Sequence, residues 1–146
     1  MKNENKIPKV GLSVIVIRDD FKVLIGKRKG SLGAGTIAFP GGKINYYETS
    51  GHCGEREINE ETGLEVKILD RQSVAVTEDF FKKENEHWIT LFLRAKYLSG
   101  EPQVMEPDKC EYWKFVSWKD LIYEKEGPLF LPLRNLIKQQ GYNPFF

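Results

Sequence analysis

Between Gly41 and Leu64 the chain reads GGKINYYETSGHCGEREINEETGL, which places Glu48, Glu55, Glu57, Glu60 and Glu61 in one short segment with only Lys43 and Arg56 as counter-charges. Like charges this close repel, so something must hold them together. On a helix, at about 100° per residue, Glu57 and Glu61 stand about 40° apart and Glu60 about 60° to the other side of Glu57, so all three share one face. Carboxylate oxygens so placed suit hard divalent cations, and Mg2+ or Mn2+ commonly sits between carboxylates and substrate phosphates. His52 and His87 are not expected as ligands, because such ions prefer oxygen. Taken alone, E-x-x-E-E also describes a solvated helix surface. What the rest of the chain places around it separates the two readings.

The elements that must position these residues follow from periodicity. The mostly apolar run Val10 to Ile17 predicts a buried strand, and Lys22 to Lys29 a second one, joined at Asp19-Asp20 into a hairpin. The glycine-rich loop from Ser31 to Gly42 ends in Pro40-Gly41-Gly42, where backbone can approach a ligand closely. A helix is predicted from about Ser50 to Thr62, stopped by Gly63. Gly51 and Gly54 in its first half each cost on the order of 1 kcal/mol relative to alanine, so a late or frayed first turn is expected. Strand-like runs follow at Val66–Phe80, with a bend, at His87–Leu98 and at Tyr112–Trp118, and apolar residues at helical spacing close the chain near Gly141. Strands on both sides of a central helix, with a terminal helix, argue for a mixed α/β (α+β) sandwich.

A chain of 146 residues suits one domain, here 1–146 with 1–8 expected as a polar tail. No apolar run approaches the length that spans a bilayer, and the start MKNENK lacks the apolar core of a signal peptide, so a cytoplasmic location is expected. Cys53 and Cys110 form no C-x-x-C pair and are read as reduced and structural. A net charge of +1, with no basic stripe interleaved with aromatics, points away from nucleic acid polymers as partners. An anionic ligand must then be captured by local groups.

The spacing from Gly42 is five residues, Glu48, seven residues, then Arg56-Glu57-Ile58-Asn59-Glu60-Glu61-Thr62-Gly63-Leu64. It resembles the Nudix box, G-x5-E-x7-R-E-U-x-E-E-x-G-U with U a bulky aliphatic residue, at every defining position. With frequencies of roughly 7% at each of seven specified positions, a chance match at a given start is on the order of one in 10⁸. The segments GKRKGSLGAG, FPGG, MEPDKCEYW, PLFLPL and GYNPF extend the likeness. They are similar to MutT-related nucleoside triphosphate diphosphatases of animals and to small plant Nudix hydrolases.

That resemblance implies a Nudix αβα sandwich with a mixed central sheet, a homodimer, and metal-dependent hydrolysis of a nucleoside triphosphate, modified or oxidised ones included, to monophosphate and pyrophosphate. Hydrolysis of a prenyl diphosphate or a dinucleotide by the same fold, or a binding module without catalysis, are the alternatives. The family's metal ligands fall on Glu57 and Glu61, with Glu60 a further ligand or the base and the Gly41 carbonyl another ligand. Arg56 would orient a box glutamate through its planar fork, and Glu48 would brace the loop against the helix. Gly42 and Gly63 stand where a side chain would obstruct a turn or helix end. A base outside the box would be one of Glu84, Glu86, Glu106 and Glu111. On the substrate side, Arg28, Thr90 and Leu133 match lining positions. Phe39 and Lys43, which flank the nucleobase pocket, replace the leucine and histidine of the similar sequences. Lys27 and Lys29 read as solvated strand-end charges. Trp88, Trp113 and Trp118 read as core or interface aromatics, with Trp88 the best exception.

Overall fold

The run KVGLSVIVI forms strand β1 (Lys9–Ile17), and its side chains alternate between two cores. Leu12, Val14 and Val16 face one layer and Ile15 the other. The structure, a computed structural model, describes residues 6–30 and 32–141. The predicted tail, apart from residues 6–8, lies outside the described residues, as do Ser31 of the glycine-rich loop and the segment after Gly141.

The remaining elements are β2 (Val23–Arg28), β3 (Ile37–Ala38), β4 (Gly41–Lys43), α1 (Ser50–Thr62), β5 (Glu65–Ile68), β6 (Ala75–Phe81), β7 (Glu86–Ser99), β8 (Cys110–Val116), α2 (Trp118–Ile122) and α3 (Leu131–Gln140). Together the strands form an eight-stranded mixed sheet with the path β3-β2-β1-β7-β5. β1 and β7 run parallel from Lys9↔Trp88 to Ile17↔Lys96, while the other pairings are antiparallel. One face of the sheet packs on α1 through Cys53 and Ile58. The other packs on α2 and α3 through Leu121, Leu133 and Leu136. This is the expected mixed α/β sandwich. Burying each such Leu or Ile side chain contributes about 1.5–3 kcal/mol.

Several expectations are corrected. The β1–β2 hairpin has a single ladder pair, Ile17 with Val23, and then splays. The opening admits β4, which pairs with Gly11, Leu12 and Ser13 of β1 and so brings Pro40-Gly41-Gly42 to the sheet. The glycine-rich loop thus contains two strands of only two and three residues, too short for any periodicity to announce. The Val66–Phe80 run is two strands, both pairing with β7. Trp118 opens α2 instead of ending a strand, since the Ser117 side chain caps the turn by accepting from the Asp120 N–H at 3.1 Å.

The first turn of α1 does not start late. The Thr49 hydroxyl accepts from the His52 N–H at 3.2 Å, and Gly63 at φ 73° closes the helix with its N–H on the Asn59 carbonyl. Gly54 has a packing reason. A Cβ there would lie 2.9 Å from Ile68 Cδ1 and 3.4 Å from Val14 Cγ2, so its absence seats α1 close to the sheet.

Candidate active site

α1 presents its acidic face to a cleft of about 800 Å3 at the end of the sheet where β1 and β7 begin and β2 ends. Glu57 and Glu61 line it from α1, Gly41, Gly42 and Lys43 from β4, and Arg28 from β2. Phe39, Thr90 and Leu133 line it as well, together with Trp88. Of the expected site residues, Glu48, Arg56 and Glu60 stand outside that lining.

The arginine of the box is the hub behind the cleft. Arg56 donates from Nε and Nη2 to the two oxygens of Glu48 at 2.7 and 2.9 Å, and from Nη1 to Glu57 at 2.8 Å and Glu60 at 3.2 Å. The bidentate fork holds Glu48 down at about 2, and the Asn45 N–H, 3.0 Å away, adds to this. Glu48 thereby ties the loop after β4 to the helix. Glu60 departs from the expectation. Its offset around the helix axis turns it toward solvent, its side chain is 51% exposed, and Arg56 holds it there.

Inside the cleft the electrostatics reverse. Burial pushes Glu61 up to about 8, the charge of Glu57 adds to this, and the Gly41 N–H donating at 2.9 Å opposes it. Burial also raises Glu57 against the pull of Arg56, and Glu106 raises both. Gly42 makes room for this pair, because a Cβ there would fall 2.3 Å from Glu57 Cδ. Gly41 is equally constrained, with a Cβ falling 1.9 Å from the Leu12 carbonyl oxygen.

Two crowded carboxylates disfavoured as anions by burial and by each other are an oxygen donor set that fits a hard cation. Among the described residues no group of three or more His, Cys, Asp or Glu side chains gathers tightly enough to hold an ion alone. A pair of carboxylates, with backbone carbonyl, water and phosphate completing the shell, is how Mg2+ is usually held.

In the same cleft, Arg28 stacks its guanidinium 4.0 Å from the Phe130 ring and donates to the Leu32 carbonyl at 3.0 Å. Burial lowers its pKa. Gly33 accommodates this packing, since a Cβ there would lie 2.6 Å from Phe130. Trp88 carries the ammonium groups of Lys9 and Lys43 each 5.4 Å from its ring and donates to Glu86 at 2.8 Å. Trp118 is buried against Phe39, and Trp113 packs on the α1-side core.

Of the carboxylates outside the box, Glu86 and Glu106 line the cleft, while Glu84 and Glu111 do not and are exposed. Glu86 accepts from Trp88 and pairs with Lys9 at 3.5 Å; Glu106 pairs with Lys109 at 3.6 Å, and its charge reaches both Glu57 and Glu61. His52 is exposed, and His87 stacks on Phe80, away from the lining.

Sequence reasoning missed Asp79 and Asn135, which support Thr90 from behind. Asp79 accepts from the Thr90 hydroxyl at 2.5 Å and from Asn135 at 2.9 Å. A signal was present: in AVTEDFF, Ala75, Thr77, Asp79 and Phe81 alternate onto the buried face, which puts two polar residues where apolar ones belong.

Comparison with known proteins agrees with this geometry. The profile described as NUDIX domain matches residues 8–140. An ADP-ribose pyrophosphatase of Methanocaldococcus jannaschii is 30% identical over 112 residues, 76% of this chain and 65% of its own length. An oxidized purine nucleoside triphosphate hydrolase of Danio rerio is 33% identical over 91 residues, 62% of this chain and 57% of its own length. The match therefore spans about three fifths of these curated relatives. The crystal structure of a MutT NUDIX hydrolase from Burkholderia pseudomallei superposes with a TM-score of 0.77 and 31% identity, over 92% of this chain and 99% of that one. With the family profile covering nearly the whole chain and two of the box glutamates, Glu57 and Glu61, lining one cleft, the protein belongs to the Nudix family.

Proposed function

We propose that the chain hydrolyses a nucleoside triphosphate, modified or oxidised bases included, to monophosphate and pyrophosphate with Mg2+ or Mn2+. The observation that carries this reading is the Glu57–Glu61 pair lining one cleft with Arg28, an arrangement that suits a polyphosphate bridged to carboxylates through a cation. Glu57, Glu61 and the Gly41 carbonyl would hold the ion, which supplies charge neutralisation and Lewis acidity at the phosphates. Arg28, with no carboxylate ion pair among the described residues, meets phosphate oxygens with a pre-oriented fork. Arg56 and Glu48 keep Glu57 aimed. Water attacks phosphorus, the bond to the bridging oxygen breaks, pyrophosphate leaves, and Glu106 takes the proton of the attacking water. Phe39, Thr90 and Leu133 receive the base, and Lys43 stands at its edge.

The name of the Danio rerio relative supports this substrate class, and that of the Methanocaldococcus jannaschii relative favours a nucleoside diphosphate linked to another group as the second reading. A homodimer, a single domain over 1–146 and a cytoplasmic location belong to the same proposal. Among the described residues no helix is long and apolar enough to cross a membrane. The test is a panel of common and oxidised nucleoside triphosphates, ADP-ribose, dinucleotides and geranyl diphosphate with Mg2+, Mn2+ or EDTA, read as pyrophosphate and phosphate release. Metal-dependent pyrophosphate release from a triphosphate is the expected result. Turnover of ADP-ribose alone selects the second reading, and silence from folded protein selects a non-catalytic binding module.

A further inference from the structure

Behind the cleft wall, Asp79 is fully buried and has no part in the chemistry above. Its partners are neutral donors. Oδ2 accepts from the Thr90 hydroxyl at 2.5 Å and the Thr77 hydroxyl at 3.2 Å, and Oδ1 accepts from Asn135 Nδ2 at 2.9 Å. The amide nitrogen of Asn135, which can only donate, fixes the carboxylate from α3.

A threonine hydroxyl has one proton and two lone pairs. With that proton committed to Asp79, Thr90 offers the cleft only acceptor lone pairs. Thr90 lines the cleft beside its partner across the β1–β7 ladder, Gly11. A Cβ there would lie 4.0 Å from Thr90 Oγ1 and 3.3 Å from the Trp88 ring.

We propose that Asp79 is a positioning residue for substrate choice: by taking the only proton of Thr90 it makes that hydroxyl an acceptor, so the cleft selects a nucleobase bearing an exocyclic amino group and rejects its carbonyl counterpart. The amino group is the donor that suits a recessed hydroxyl, because it projects beyond the ring edge whereas a ring N–H lies flush between its neighbours. A carbonyl brought there would leave two buried acceptors facing each other unpaired. Sites built around one buried hydrogen bond reject the mismatched analogue by tenfold or, commonly, far more. The inference rests on reading the cleft as a nucleotide site.

The test compares wild type, D79N and T90V on matched deoxynucleoside triphosphates of adenine and hypoxanthine, cytosine and uracil, and guanine and xanthine. The readouts are kcat/KM ratios and, independently of turnover, calorimetric binding of the corresponding monophosphates. Wild type should favour the amino member of at least one pair by about tenfold or more. In D79N the carboxamide keeps its carbonyl on Asn135 and turns its NH2 to Thr90, whose freed proton then points into the cleft. The preference should collapse or invert. T90V should flatten it, and this holds the inference to account even if D79N does not fold. An unchanged preference in folded D79N or in T90V, or no amino preference in wild type, overturns it. Ranked monophosphate binding without triphosphate hydrolysis sinks the proposed activity but not this inference. Hydrolysis with an unaltered ranking sinks this inference alone, and no binding of any monophosphate sinks both.

Discussion

Glu61→Gln in metal-free protein is a direct probe of the strain on the box carboxylates. Glu61 holds its proton up to about 8, against 4.5 for an ordinary glutamate, because it is buried beside Glu57. Its folded value therefore lies above the unfolded one. The stability it contributes is complete below about pH 4.5, where both states are protonated, and is lost as pH rises to about 8, where the folded state must ionise too. At 1.36 kcal/mol per pKa unit the loss is on the order of 5 kcal/mol. Glutamine cannot ionise, and its carbonyl oxygen can still accept the Gly41 N–H. In EDTA, E61Q should match wild type near pH 4.5 and become progressively more stable toward pH 8. At about 2–4 °C per kcal/mol for a chain of this size, the difference in Tm should reach roughly 10 °C or more. The assay is thermal unfolding of both proteins from pH 4.5 to 8.5, with and without Mg2+. Added Mg2+ should reverse the order by stabilising wild type and not the variant, and turnover should be abolished in E61Q. Parallel pH curves in EDTA would refute the burial argument, and near-normal turnover would remove Glu61 as a metal ligand.

Gly42→Ala should cut kcat/KM by at least tenfold with little loss of Tm, because the new methyl falls on the Glu57 carboxylate and not in the core; steady-state kinetics with a melting curve checks both halves. Arg56→Lys keeps the charge but cannot bridge both oxygens of Glu48 while reaching Glu57, so kcat should fall at least tenfold with a smaller change in KM, measurable over a substrate titration. Gly51→Ala meets nothing nearer than Ile68 Cγ2 at 3.9 Å and should stabilise by about 0.5–1 kcal/mol in a denaturant titration. Gly54→Ala, pressed against Ile68 and Val14, should gain nothing or lose stability in the same assay.

The box helix was legible because its signals are local. The 3.6-residue spacing of Glu57 and Glu61 and Gly63 at the end both act within a few residues, and α1 spans Ser50–Thr62 as predicted; the Thr49 cap that holds its first turn was not read from the sequence. The layered α/β class followed in the same way from apolar strand runs around that helix and the terminal one. Elements of two or three residues were not legible, since β3 and β4 exist only because β1 and β2 splay and offer them an edge. Nor was the turning of Glu60 to solvent, which depends on where Arg56 ends its reach.

The sequence alone determined the family, the acidic helix face and the kind of ion it suits, because motif spacing and helical geometry are properties of the chain itself. Only the tertiary structure decided which carboxylates are desolvated, since burial depends on what packs over a residue from elsewhere. It brought the charge of Glu106 to bear on Glu57 and Glu61 across more than forty residues of sequence and left Glu84 and Glu111 outside the cleft. It also set Asn135 of α3, 56 residues away in sequence, and Thr90 of β7 as donors to the two oxygens of Asp79 on β6. Hydrogen-bond polarity at a buried hydroxyl is a property of its neighbours in space, and no local pattern encodes it.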